Sequence, residues 1–223
     1  MPEALLALRG AALEAPGGGR VFQGLDWELK AGERWRLRAE PGSGASALLR
    51  LCAGVAQPAA GSVRLAGLAP DVDRRHPFVA AGGLGWAPTD GGLAMNLSFL
   101  ENVALPLRFV RGLDREAARE EASRWLDLAG LGRLKGQRPP VPAERSCWLA
   151  SLARAGAKGS RLWLVDRPAG ELDPAAARAA RNLLAEAARD PEAAFLVVGG
   201  DWMEGPVREL ALVDGRLAFG SGA

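Results

Sequence analysis

The stretch at residues 36–54, RLRAEPGSGASALLRLCAG, constrains this chain more than any other. An alternating, apolar-leaning run through Trp35, Leu37 and Ala39 leads into a turn built on Gly42, Ser43 and Gly44, and a helical run with Leu48, Leu49 and Leu51 follows. A strand, a glycine-rich turn and a helix in that order make a cradle in which backbone N–H groups and the helix N-terminus hold phosphate. Such a cradle also needs a lysine that reaches the outer phosphates, and Ala45 stands at that place. The shape of a phosphate site is written here without its main cation.

With 223 residues, 48% of them hydrophobic, the chain can bury one sizeable core. Its 28 basic and 26 acidic side chains are interspersed and leave a net charge of only +2, which gives no reason to expect nucleic acid as a partner. Uninterrupted apolar runs stay short of the roughly 18 residues of a membrane span, and MPEALLALRG lacks the basic and apolar regions of a secretory signal, so a cytoplasmic location is expected. Cys52 and Cys147 lie far apart in apolar helical runs and read as neither a metal site nor a disulfide. The single histidine, His76, precedes Pro77 in a polar loop and reads as surface decoration.

Around the loop the pattern alternates strand and helix. Residues 5–13 and 21–29 read as an antiparallel hairpin turned by Gly17, Gly18 and Gly19, and residues 62–65 and 84–87 as further strands. From Leu97 the periodicity becomes helical: Pro106 is expected to bend or interrupt the first helix, and Asp114 is an N-cap for a second that stops at Gly130. A third helix is expected over 147–155, so that residues 97–155 form an inserted helical subdomain within a single domain of residues 1–223. RLWLV at 161–165 and residues 195–198 are buried strands, 175–188 an alanine-rich helix, and Asp214-Gly215 the turn of a closing hairpin. Trp86 and Trp163 read as core side chains. Trp148 and Trp202 read as fillers of space that a ligand occupies elsewhere.

This order of segments resembles the ATP-binding subunit of ABC transporters over nearly the full length, carried by PGSGAS, by the helical insertion and by RLWLVDRPAGELDP. The resemblance implies an α/β, P-loop NTPase-like cassette with a mostly parallel central sheet, an N-terminal antiparallel subdomain and the inserted helices. NLSFLENVALPLRF looks particularly like the ATPase subunit of Mla-type lipid transport systems, which work with MCE-domain proteins.

Carried over residue by residue, the resemblance implies a vestigial nucleotide site at Gly42, Ser43, Gly44, Ala45, Ser46 and Asp166. Ser46 and Asp166 are the metal ligands if Mg-nucleotide binds. The degenerate positions are Ala39 for the first loop glycine, Thr89 for the metal-coupling glutamine, Arg167 for the catalytic glutamate and Gly200 for the switch histidine. A guanidinium cannot accept a proton from attacking water. PAERSCWLASLARA lacks the signature glycines, and no aromatic stands near residues 14–16 to stack on adenine. Leu172, Asp173 and Pro174 resemble the loop that crosses a cassette dimer interface.

The resulting expectation is a non-hydrolysing pseudo-ATPase cassette, a structural or regulatory subunit of a bacterial lipid ABC transporter. It would be peripheral on the cytoplasmic face of the inner membrane, with no cofactor expected and with ATP and Mg²⁺ binding weak if it occurs. Its implied partners are an ABC permease, an MCE-domain protein and a second cassette, in a homodimer or a heterodimer. Two alternatives stay open: a weak ATP-binding ATPase subunit of the same transporter class, using Ser46, Asp166 and partner groups, and a soluble nucleotide-independent adaptor.

Overall fold

Strand chemistry and turn chemistry divide the chain into two sheets in the computed structural model, which describes residues 4–15, 19–69, 76–140, 144–168 and 170–220. In chain order the elements are β1 (Ala4–Glu14), β2 (Arg20–Lys30), β3 (Arg34–Arg38), α1 (Ala45–Cys52), β4 (Ala60–Leu65), α2 (Pro77–Ala80), β5 (Leu84–Ala87), α3 (Phe99–Val110), α4 (Arg115–Leu128), a 3-10 turn (Gly132–Leu134), α5 (Arg145–Lys158), β6 (Leu162–Val165), α6 (Pro174–Ala187), β7 (Ala194–Val198), β8 (Arg208–Val213) and β9 (Arg216–Phe219). The first sheet is antiparallel with order β2-β1-β4. The second has order β5-β6-β7-β3-β8-β9, parallel from β5 to β8 and closed by the antiparallel β9.

The parallel strands are apolar on both faces because each face meets its own core. From β6 and β7, Trp163, Val165, Phe195 and Val197 join the cluster under α3, α4, α5 and α6. Their neighbours Leu162, Leu164, Leu196 and Val198 join the cluster beneath α1 and the antiparallel sheet. A period of two thus serves two cores at once. Both free cysteines are buried, and desolvation pushes the Cys52 thiol up to about 12, so it packs as a small hydrophobe.

Local signals account for most boundaries. Asp114 caps α4 by accepting from the N–H groups of Glu116 and Ala117, both at 2.9 Å, and Gly130 ends that unit at φ 72°. Asp214 and Gly215 both adopt positive φ, 48° and 70°, as the tight turn between β8 and β9 requires. The N-terminal hairpin forms, although the expected Gly17-Gly18 turn lies outside the described residues, as do residues 71–75 and the Val141-Pro142 part of the loop before α5.

One expectation is narrowed and another fails. α3 is not interrupted at Pro106, one of the two outcomes expected there. A proline inside a helix costs about 3 kcal/mol; a capping box between Ser98 and Glu101, together with burial of Val103, Ala104 and Leu107, offsets that loss. Ser98→Ala is expected to destabilise the protein by about 1 kcal/mol, read as a lower urea midpoint at unchanged slope. His76, expected at the surface, is buried, its Nε2 3.3 Å from the Leu68 carbonyl. Burial is set by the tertiary fold, which the polar composition nearby does not reveal. No helix among the described residues is long and apolar enough to cross a membrane.

Candidate nucleotide site

The loop between β3 and α1 lies at the carboxyl edge of the parallel strands, where open α/β sheets bind their ligands. Gly42 and Gly44 take φ 81° and 93°, and Gly44 is the N-cap of α1. A Cβ on Gly44 would meet Val21 of β2, so glycine there answers both a conformational and a packing demand. No side chain caps α1 and no acidic residue stands in its first turn, which leaves its leading N–H groups for an external acceptor. Ala45 is buried at 3% exposure, Ser46 is half-buried, and the Ser43 hydroxyl is buried without a partner. Beside the loop, a cleft of about 580 Å³ opens between Arg20–Gln23, residues 40–43 and the β8–β9 turn.

Asp166 stands at the end of β6, 4% exposed and held on every side. Its N–H donates to the Ala87 carbonyl at 2.9 Å, and its own carbonyl accepts from Trp148 Nε1 at 2.9 Å. Oδ1 accepts from the Arg167 N–H at 2.9 Å and Oδ2 from Thr89 Oγ1 at 3.0 Å. One donor per oxygen leaves lone pairs for a hydrated cation. Thr89, expected from sequence at the metal-coupling position, is therefore brought to the expected metal aspartate. The Arg167 guanidinium extends back over the loop, 3.5 Å from the Ala39 carbonyl and 3.4 Å from the Glu40 carbonyl.

Gly200, at φ 58°, follows β7, and a Cβ on it would collide with the Trp202 ring. Trp202 in turn packs edge-on against Trp148 at 5.1 Å. Packing of the two indoles accounts for the bare glycine at this position. Neither indole lines the cleft beside the loop. Trp163 is core as expected, whereas Trp86 is only half-buried and its Nε1 has no partner.

Asp173 caps α6 by accepting from Ala176 N–H at 2.9 Å, a contact that holds its carboxyl below the usual range, and Pro174 opens the helix. Leu172 is half-buried against the core.

Sequence reasoning missed Trp148 as the brace of Asp166 and missed a pair of cations on α5. Arg154 donates to the carbonyls of Gly92 and Gly91 at 2.8 and 3.2 Å, and Lys158 donates to Leu84. Burial and the nearby Arg154 lower the Lys158 ammonium to about 8. Both line a groove beside Trp86 and the exposed Leu105 and Phe109 of α3. Helical spacing of Arg154 and Lys158 on α5 was the available signal.

The sequence profile of the ABC transporter family matches residues 22–170. The chain belongs to the ABC transporter family. Its relatives include the "Lipoprotein-releasing system ATP-binding protein LolD" of Hydrogenovibrio crunogenus, 34% identical over 188 residues, covering 81% of this chain and 79% of that protein. LolD 2 of Caulobacter vibrioides is 32% identical over 228 residues, covering 97% and 98%. Among solved structures, the ATP-binding cassette MJ0796 in a dimeric post-hydrolysis state with ADP and Pi superimposes with a TM-score of 0.81 at 22% identity, over 98% of this chain and 100% of that one. The α/β P-loop cassette fold is thereby established.

These relatives overturn the Mla-type assignment and, with it, the reading of a degenerate pseudo-ATPase that is not an enzyme: the similar proteins are ATP-binding proteins of lipoprotein-releasing systems. The physical reasons lie in the cassette itself. ENVALPL encodes helix packing rather than a transport branch: Asn102 donates to the carbonyls of Ala94, Leu97 and Ser98 and accepts from the Ala94 N–H, while Val103 and Leu107 are buried. Ala45, Arg167 and Gly200 read as losses when taken singly. In three dimensions Gly42 and Gly44 hold the loop's positive-φ turn, Arg167 lies over it and Trp202 closes against Gly200.

Proposed function

We propose that this cassette is the ATP-binding subunit of a bacterial ABC transporter of the lipoprotein-releasing type, and that it hydrolyses ATP slowly with help from groups of a second cassette. The observation that carries this reading is the Asp166 carboxylate, oriented by Thr89 and by the Arg167 N–H at the strand edge that adjoins an uncapped helix N-terminus. Gly42, Ser43, Gly44 and Ser46 would cradle the phosphates through backbone N–H groups. Among the described residues no cluster of three His, Cys, Asp or Glu side chains forms a metal site of its own. A hydroxyl at Ser46 and a carboxylate at Asp166 are hard oxygen donors suited to Mg²⁺, which would enter with the nucleotide. When bound, Mg²⁺ neutralises charge on the outer phosphates. Arg167 cannot serve as a base, so turnover rests on positioning and charge and is slow.

The partners we propose are an ABC permease subunit and a second cassette, either another copy or a different chain. The inserted helices over residues 97–155 would meet the permease. There the apolar Leu105 and Phe109 beside the cationic Arg154 and Lys158 suit an amphipathic helix that carries a carboxylate. Leu172, Asp173 and Pro174 would face the second cassette. The MCE-domain partner rested on the Mla resemblance and is dropped with it. Such a subunit sits peripherally on the cytoplasmic face of the membrane.

The test is equilibrium binding of ATP to the purified full chain with and without Mg²⁺, followed by phosphate release over hours. Saturable, Mg²⁺-strengthened binding with slow phosphate release is expected. Absence of binding at millimolar ATP, where ATP-binding cassettes saturate, sinks the reading.

A further inference from the structure

We propose that Arg167 is the phosphate-holding cation of this site, replacing from just beyond the end of β6 the lysine that α1 lacks at position 45. This inference rests on the ATP-binding reading above. Residue 45 places only a buried methyl group at the start of α1. Of the other cations near this sheet edge, Arg36 pairs with Asp201 and Glu209, Arg38 pairs with Glu209, and Arg20 makes one neutral contact, donating to Gln23 of its own strand at 2.7 Å. Arg167 differs from all three in reaching the phosphate loop itself. The residue is half-buried, and its guanidinium has no ion pair among the described residues and meets only the Ala39 and Glu40 carbonyls, at 3.5 and 3.4 Å.

Those two neutral contacts sit at the outer limit of hydrogen bonding and park the cation against the first residues of the phosphate loop. A phosphate oxygen is a far stronger acceptor for a guanidinium than a carbonyl, and the planar fork grips two oxygens at once. The backbone of the same residue is fixed by its N–H bond to Asp166 Oδ1, so the charge is anchored beside the proposed metal ligand. The substitutions at 45 and 167 then become one exchange. The cation has moved from the helix to the strand end, taking the place of the base, so phosphate affinity is kept and proton abstraction is given up.

The experiment compares the full chain with Arg167→Gln and Arg167→Lys, measuring calorimetric affinity for ATP and for inorganic triphosphate, and ligand-free melting. Glutamine keeps an N–H donor for the loop carbonyls but carries no charge. Expected is a loss of about ten- to a hundred-fold in affinity for both ligands in the glutamine variant, the size of a charge-assisted contact. The lysine variant, which keeps the charge but not the fork, should recover part of it, with melting unchanged throughout. Equal ATP affinity in wild type and Arg167→Gln overturns this inference and leaves ATP binding standing. A loss that tracks lowered ligand-free melting, and that lysine does not restore, assigns Arg167 a structural role and also overturns it. A wild-type chain that binds no ATP overturns the functional reading and this inference together.

Discussion

Asp166→Asn is expected to abolish Mg²⁺-dependent ATP turnover while leaving the fold intact. Asparagine has the same shape as the carboxylate, and both of its neighbours can adapt. The Arg167 N–H can still donate to the amide oxygen, and the Thr89 hydroxyl, which now donates to Oδ2, can rotate to accept from the amide nitrogen. The backbone bonds to Ala87 and Trp148 do not involve the side chain. What disappears is the negative charge that attracts the hydrated cation. A fall in phosphate release of about a hundred-fold or more is expected, the scale of losing one preorganised electrostatic group. ATP affinity should also lose its dependence on Mg²⁺, and the melting temperature should stay within a degree or two of wild type. Phosphate release equal to wild type would show that Asp166 holds no catalytic metal, and the proposed site would have to be abandoned.

What the sequence could reveal depended on how far apart the interacting residues are. The strand, loop and helix at residues 34–52 were legible because glycine, strand period and helix period act within a few residues. The Asp114 cap and the Asp214-Gly215 turn were legible for the same reason. That Pro106 does not interrupt α3 was not legible, because part of what holds the helix together there is burial of Val103, Ala104 and Leu107 in the core. His76 was misjudged because burial is a property of the whole fold.

The site shows the same division more sharply. Its members could be named one at a time from spacing, yet their meaning lay in pairs. Arg167 and Ala39 are 128 residues apart, and Thr89 and Asp166 are 77 apart. A side chain read alone against an expected residue registers only as a loss. That is why Ala45, Arg167 and Gly200 pointed toward an inactive cassette while the relatives point toward ATP-binding proteins.

Trp148→Ala is expected to be the most destabilising single change, and it should reach the site as well as the core. Trp148 is fully buried on α5, lies edge-on to Trp202 and donates from Nε1 to the Asp166 carbonyl at 2.9 Å. Truncating a buried tryptophan costs about 3–5 kcal/mol. For a chain of this size each kcal/mol lowers the melting temperature by about 2–4 °C, so a drop of roughly 10 °C is expected. Scanning calorimetry reads it directly, and a shift below about a degree would show that the indole pair contributes little to the fold. Trp148→Phe separates the two roles of the side chain. Phenylalanine keeps an aromatic surface against Trp202 but leaves the buried carbonyl without its donor, at a cost of about 1–3 kcal/mol. Because that carbonyl belongs to Asp166, the phenylalanine variant should lose ATP turnover at temperatures where it is still fully folded. Turnover that instead falls only as the variant unfolds would confine Trp148 to the core.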